Sequence, residues 1–242
     1  MNLAKITDWL DRTLRVAAFD DVSNNGVQIA RRADEVRTVA VAVDASVRAV
    51  RAAAEAGAEL LVVHHGISWG GGIRRLAGGV YEVVRAAIDA DLALYAVHLP
   101  LDAHPTLGNN AQLAKRLGLV KLRPAFSYHG HVIGLVGESL RRHAATIGAL
   151  RLDVPRGRVG VCSGGAGEFA EEARALGCAL YVTGEANWGD IVAAENVGQR
   201  MVVAGHYATE TFGVQTVARA LGKALRLATV DLTARLAPEP SA

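Results

Sequence analysis

Histidines and carboxylates stand at the ends of three apolar runs that have the character of buried strands. The pair His64-His65 ends one run, His98 follows a second with Asp102 four residues on, and His206 follows a third with Glu210 four residues on. Imidazole nitrogen and carboxylate oxygen together, without thiolate, suit Zn, Fe, Mn, Co or Ni. In open α/β sheets, ligands bind just outside the carboxyl ends of the strands. The pattern therefore predicts a metal site built from these side chains.

The spacing of the same residues indicates more than one ion. Neighbours on a strand point to opposite faces, so His64 and His65 could each hold one of two adjacent ions. His206 and Glu210 share a face if a helix begins after Gly205. Glu210 has two oxygens and could bridge both ions, and Asp102 would complete a hard, anionic position. The alternative is a set of polar caps and turn residues at helix starts, which Asp102 could be by itself.

Alternating strand-like and helix-like runs position these side chains and predict an α/β protein. Ser46 is a plausible N-cap and Gly57 a helix stop. The expected strands lie at 38–43, 60–63, 92–97, 132–136, 159–162, 179–182 and 201–204, and the expected helices at about 46–56, 111–117 and 211–221.

A shift of 120 residues without a gap lays residues 38–65 over residues 158–185. Strand falls on strand and helix on helix, and six of the 28 positions are identical. Generic βαβ periodicity could produce much of this match, so true duplication and coincidence both stay open. A true duplication would give two similar α/β lobes with a metal site in the cleft between them.

Length and composition narrow the class of protein. The 242 residues are 51% hydrophobic and 21% charged, which is typical of a globular chain and excludes disorder. A net charge of +2 gives no support for a nucleic-acid or membrane surface. No apolar run approaches the ~20 residues of a membrane helix, and the first residues lack the apolar core of a signal peptide. The two cysteines are too few for a disulfide framework. We therefore expect a cytoplasmic protein.

Five segments together resemble the GTP cyclohydrolase I type 2 homologues, also called the Nif-three-like dinuclear-metal proteins. The early segment Ser23-Asn24-Asn25-Gly26-Val27-Gln28 is similar to the family's N-terminal signature, with Asn25 and Val27 as mild departures. The other four segments are Val63-His64-His65-Gly66, residues 98–105 with Gly108-Asn109-Asn110, Thr183-Gly184-Glu185, and Gly205-His206-Tyr207-Ala208-Thr209-Glu210.

The resemblance implies a metal-ligand set, a fold and an assembly. The family's ligand positions fall on His64, His65, Asp102, His206 and Glu210, which would hold two divalent transition-metal ions per chain. It also implies a two-lobed α/β fold in a toroidal homo-hexamer. The chain is short enough to lack an inserted domain, so we expect one unit over residues 1–242. Its first lobe would span about 1–125 with the C-terminal segment, and its second about 126–235.

The function that the resemblance implies is a metal-dependent hydrolase of a small molecule. With GTP as the candidate substrate, water would attack C8 of guanine and a second hydrolysis would release formate. His98, either a weaker ligand or a group behind the ligands, and Glu185 are the candidates for proton transfer. Two alternatives stay open: a phosphoesterase that uses the same paired ions, and a non-enzymatic scaffold that stores metal or binds partners.

Overall fold

The computed structural model describes residues 1–238, so residues 239–242 of the expected unit lie outside it. The helices are α1 (Leu3–Leu14), α2 (Val47–Glu55), α3 (Gly78–Asp89), α4 (Leu99–Ala103), α5 (Asn109–Arg116), α6 (Ala170–Ala175), α7 (Trp188–Asn196), α8 (His206–Leu225) and α9 (Thr233–Leu236). The strands are β1 (Gly26–Ile29), β2 (Thr38–Asp44), β3 (Leu60–His65), β4 (Ala93–Ala96), β5 (Val120–Tyr128), β6 (His131–Ser139), β7 (His143–Ile147), β8 (Leu150–Val154), β9 (Gly157–Gly165), β10 (Leu180–Glu185), β11 (Met201–Val203) and β12 (Ala228–Asp231). The predicted α/β class is confirmed.

The chain divides into two compact units. Unit 1 comprises residues 1–101 and the C-terminal stretch from Gly213, and unit 2 comprises residues 102–212. The sequence placed a boundary near residue 125. Helix α5 instead belongs to unit 2, because it packs against β9 and β6.

Unit 1 is built on a five-stranded sheet in the order β1-β4-β3-β2-β12. Strands β4, β3, β2 and β12 run parallel, and β1 is antiparallel to β4. Leu61 and Val63 of β3 are fully buried and pack in one core cluster with Ala49 and Val50 of α2. The predicted cap is present, since the Ser46 hydroxyl accepts a hydrogen bond from the Ala49 amide at 3.1 Å.

Unit 2 is built on a second sheet, in the order β11-β10-β9-β6-β5. Strands β11, β10 and β9 are parallel, whereas β6 and β5 continue the sheet antiparallel. The core cluster includes Leu113 of α5 together with Val161 of β9 and Val182 of β10. The sequence did not predict β5 or the β7–β8 hairpin, because β5 is mostly exposed and the hairpin strands mix exposed and buried positions, so none of them has a continuous apolar run.

Strand registers in the two units repeat with the same 120-residue shift that the sequence shows. In unit 1, Val39 lies opposite Leu60 across the β2–β3 pair. In unit 2, Val159 lies opposite Leu180 across the β9–β10 pair. The correspondence holds for four consecutive positions and breaks only near the strand ends, where β9 carries an irregularity. This agreement of register supports a duplicated βαβ core.

Candidate metal-binding residues

Three histidines of unit 1 lie together at the carboxyl ends of β3 and β4. His64 and His65 are the last two residues of β3, and His98 follows β4 by two positions. One ring nitrogen from each of the three lies within 4.8 Å of the others. The ring centroid of His64 is 4.6 Å from that of His65 and 5.1 Å from that of His98. The convergence predicted for these three side chains is present.

Hydrogen bonds fix which nitrogen of His64 and of His65 carries the proton. The Nδ1 atom of His64 lies 3.0 Å from the carbonyl oxygen of Val97. The Nδ1 atom of His65 lies 2.8 Å from a carboxylate oxygen of Asp44, the last residue of β2. Because these oxygens only accept, Nδ1 donates in both neutral rings and the lone pair lies on Nε2. This arrangement, an oxygen behind each ring, is the usual one for metal-binding histidines.

His98 is held by the N-terminal segment of the chain. Its Nδ1 lies 2.9 Å from Oδ1 of Asp21, and its backbone amide donates to Oδ1 of Asn25 at 2.8 Å. Asn25 in turn donates to Oδ2 of Asp21 at 2.9 Å. Burial alone would raise the pKa of Asp21, but hydrogen bonds from His98, Asn25 and the Ser23 amide, with the charge of His98, lower it to about 2. Asp21 is therefore an anion that orients the His98 ring.

The loop after β3 is tied to the same segment through Gln28. Its side-chain oxygen accepts from the amides of Ile67 at 2.7 Å and Ser68 at 3.2 Å. A Cβ at Gly66 would lie 2.2 Å from that oxygen, so a larger residue there would displace the Gln28 amide from this position. The Trp69 ring stands edge-on to His98, with 5.1 Å between ring centroids. The early Asn/Gln signature therefore shapes the surroundings of the histidines.

Asp102 lies on α4 in unit 2 and is buried. Its Oδ1 accepts hydrogen bonds from the Asn109 side chain at 2.9 Å and from the Ser163 hydroxyl at 3.1 Å. The pKa of the Cys162 thiol is raised well above its ordinary value, first by complete burial and then by the negative charges of Asp102 and Glu210. The carboxylates of Asp102 and Glu210 are thus both close enough to raise the pKa of the Cys162 thiol, which stays protonated at neutral pH.

His206 opens α8 and lies between two carboxylates of unit 2. Its Nε2 lies 3.2 Å from Glu210, one turn along the helix, and its Nδ1 lies 2.7 Å from Glu185, the last residue of β10. A helix does begin directly after Gly205, which is the condition under which His206 and Glu210 share a face, although the helix itself was predicted only from about residue 211. The hydrogen bond to Glu210 raises the pKa of His206 to about 9, against the effect of burial and with further help from the charges of both carboxylates.

The buried carboxylate of Glu210 fits against a glycine at the end of β9. A Cβ at Gly164 would lie 2.4 Å from Oε1 of Glu210, and the Gly164 φ of +68° disfavours other residues as well. The Gly164 amide donates to the Thr209 hydroxyl at 3.2 Å. The Ser163-Gly164 segment thus supports the Asp102 and Glu210 side chains.

Several residues that hold these side chains were not predicted. Asn25, Gln28 and Asn109 lie in segments that resemble the family but had no role assigned to them, and Asp44 could have been noticed because it ends a strand beside His65. The unpredicted residues are Asp21, Asn25, Gln28, Asp44, Asn109, Ser163 and Gly164.

Comparison with known proteins identifies the family. The model of the Duf34/NIF3 family (NGG1p interacting factor 3) matches residues 1–238. The chain belongs to this family. Duf34/NIF3 membership confirms the family predicted from the histidine and glutamate motifs.

Curated relatives and solved structures agree with Duf34/NIF3 membership. The chain is 42% identical over 229 residues to the GTP cyclohydrolase 1 type 2 homolog of Deinococcus radiodurans, covering 88% of this chain and 86% of the relative. It is 38% identical to the protein of the same name from Pyrococcus horikoshii, covering 95% of this chain and 97% of that one. The crystal structure of TTHA1606 from Thermus thermophilus matches with a TM-score of 0.77 at 30% identity, over 100% of this chain and 99% of that one.

The described helices give no indication of a membrane span. Among residues 1–238, no helix combines the length and the apolar character that crossing a bilayer requires.

Proposed function

We propose that the chain binds two divalent transition-metal ions through His64, His65, Asp102, His206 and Glu210, and uses them to hydrolyse a small molecule. The leading substrate is GTP, with opening of the guanine ring and release of formate. Support comes from the donor geometry within each unit and from the relatives named GTP cyclohydrolase 1 type 2 homolog.

The observation that carries the proposal is the hydrogen bonding of the two histidines at the end of β3. His64 and His65 each donate through Nδ1 to an oxygen, so each keeps its lone pair on Nε2. Glu210 adds a carboxylate for which Gly164 leaves space. A set of imidazole and carboxylate donors suits Zn, Fe, Mn, Co or Ni. Ions of this kind supply Lewis acidity that activates water near neutral pH.

The chain's own proton carriers would be His98 and Glu185. The Nδ1–H of His98 would donate to the Asp21 carboxylate, so Nε2 of the neutral ring would carry the lone pair and could accept a proton from a reactant and return it. Glu185 remains a predicted proton carrier, and its hydrogen bond to Nδ1 of His206 gives it a second task, orienting that ring.

Metal analysis of purified variants tests the ligand assignment. The wild-type protein should hold close to two ions per chain. Glu210→Ala should lose more metal than Asp102→Ala, because only Glu210 is proposed to contact both ions. Full occupancy in the Glu210 variant would overturn the assignment. His98→Ala should keep both ions yet slow turnover by ~10²–10⁴ if His98 is the proton carrier, and loss of metal would make it a ligand instead.

Turnover by metal-reconstituted protein separates the proposed reaction from its alternatives. GTP and a set of phosphoesters are incubated with the loaded protein, and formate and phosphate are measured. Formate release without phosphate supports the cyclohydrolase reaction. Phosphate release would replace it with a phosphoesterase, and absence of turnover at full metal occupancy would favour a metal-storing scaffold.

Assembly is proposed from family resemblance. We expect light scattering to give a mass about six times that of one chain, as a toroidal hexamer requires. A monomer at micromolar concentration would contradict this.

A further inference from the structure

A cavity of about 130 Å³ opens in unit 2, on the part of its sheet formed by β5, β6 and β9. Lys121, Arg123 and Arg158 line it together with a single carboxylate, that of Glu138, and with apolar groups that include Leu176. None of these residues belongs to the candidate metal ligands. The cavity therefore carries an excess of positive charge of its own.

The strand registers explain how the charged groups reach one face. In antiparallel pairs, residues directly opposite each other point to the same side of the sheet. Glu138 lies opposite Arg158 across the β6–β9 pair, and Val136, two residues before Glu138, lies opposite Arg123 across the β5–β6 pair. Arg123, Glu138 and Arg158 therefore face the same side.

An irregularity in β5 is what brings Arg123 to this side. Val120 lies opposite Glu138, and the register shifts between Val120 and Arg123, so β5 carries one extra residue there. Without the extra residue, Val120 and Arg123 would point to opposite faces. Lys121 adopts a φ of +51°, which is uncommon for a residue with a side chain. The backbone of β5 is therefore irregular at the point where it lines the cavity.

The cations of the cavity lack acidic partners within the described chain. Over residues 1–238, no carboxylate forms an ion pair with Lys121, Arg123 or Arg158. The Arg158 guanidinium donates instead to the carbonyl oxygen of Leu176. Three cations against one carboxylate leave the lining of the cavity with two surplus positive charges.

We propose that this cavity binds a small molecule through a dianionic phosphate group. Its volume exceeds the ~30 Å³ share of one water several times, so an oxyanion with waters fits. Guanidinium groups match the oxygens of phosphate in both charge and geometry. Two surplus positive charges match the charge of one dianion. The site is separate from the metal ligands and does not rest on the proposed reaction.

Inorganic phosphate is the probe, titrated into chelator-treated protein so that metal ions contribute nothing. Calorimetry should show saturable binding of one phosphate per chain. Arg123→Gln and Arg158→Gln should each weaken it on the order of tenfold, the effect of one charge on a dianion ~6 Å away in water. Glu138→Gln should strengthen binding by a similar factor, because it removes the one repelling charge. Nitrate, a monovalent anion, should bind more weakly in every variant.

The matched control is Arg151→Gln, on β8 and outside the cavity lining. It should leave phosphate binding unchanged, with folding of all variants checked by circular dichroism. Equal weakening in Arg151→Gln and Arg158→Gln would reduce the effect to general attraction by surface charge and overturn the proposal. Absence of saturable binding in both wild-type protein and the Glu138→Gln variant would overturn it as well.

Discussion

The carboxylate of Glu210 occupies the space that a side chain at position 164 would need. Oε1 of Glu210 lies 2.4 Å from where a Cβ on Gly164 would stand, and the φ of Gly164 is +68°. Glycine is therefore required here for two reasons, backbone conformation and room for a buried carboxylate. The two reasons can be separated by experiment.

Gly164→Ala should weaken metal binding by at least about tenfold, because the new methyl group displaces the Glu210 carboxylate. It should also lower the free energy of unfolding by more than the ~1 kcal/mol of a strained φ alone. Gly198→Ala is the matched control: its φ is +65°, yet nothing lies within 4 Å of the added Cβ. Metal titration and denaturant unfolding of both variants measure the difference, and identical behaviour of the two would contradict a role for Gly164 at Glu210.

Asp44 should control metal affinity without contacting the metal. Its carboxylate accepts from Nδ1 of His65 and keeps the Nε2 lone pair in place. Asp44→Ala should reduce metal affinity by roughly 10–100-fold, the usual cost of losing such a partner. Asp44→Asn should cost less, because an amide oxygen can still accept that hydrogen bond. Competition with a chromophoric chelator gives the affinities.

The control for Asp44 is Asp34→Asn, an exposed carboxylate of the same unit. Its metal affinity should equal that of the wild-type protein. An Asp44→Ala variant with unchanged affinity would show that the His65 ring is oriented by other groups.

His206 should titrate far above an ordinary histidine in the metal-free protein. The hydrogen bond to Glu210, together with both nearby carboxylate charges, raises its pKa from 6.5 to about 9. Because the folded pKa is raised, the contribution of this group to stability is complete below pH 6.5 and disappears as the pH rises through 9. NMR titration of the imidazole in chelator-treated protein gives the pKa directly. In Glu210→Gln it should fall towards 6.5, and a wild-type value near 6.5 would show that the contact with Glu210 is absent in solution.

Local patterns were enough to predict much of the two parallel cores. The β2–α2–β3 segment, with Ser46 as its cap, follows from an apolar strand, a capping hydroxyl and a helix stop at Gly57. Helix α8 begins at His206, five residues earlier than expected, because its first turn contains polar residues, the candidate ligand His206 among them, instead of an apolar stripe. Strand β5 and the β7–β8 hairpin were not predicted, because exposed strands lack a continuous apolar run.

The candidate ligands could be predicted, whereas the residues behind them could not. His64, His65 and His206 are visible because rare residue types stand at strand ends. Asp21 and His98 are 77 positions apart, and only the folded chain shows that they pair. Ser163 shows the same limit, since its hydroxyl donates to Asp102, which lies 61 positions earlier in the chain. Local spacing contains no information about such distant partners.

Asp21 should contribute to stability over most of the pH range and lose that contribution in acid. Its side chain is 1% exposed, and its hydrogen bonds lower its pKa from 3.8 to about 2 despite burial. A lowered folded pKa stabilises the fold above pH 3.8, and the contribution is lost as the pH falls through 2. A shift of this size corresponds to about 2 kcal/mol. Asp21→Asn should therefore lower the free energy of unfolding at pH 7 by about that amount.

The pH dependence distinguishes this electrostatic effect from a packing defect. Urea unfolding of wild-type protein and Asp21→Asn, repeated between pH 7 and pH 2, should show the difference in free energy shrinking below pH 4. Asp8→Asn, an exposed carboxylate on α1, is the control and should show little difference at any pH. A penalty for Asp21→Asn that stays constant down to pH 2 would mean that the carboxylate matters for its shape and not for its charge. In that case the charge of Asp21 would contribute nothing to holding the His98 ring.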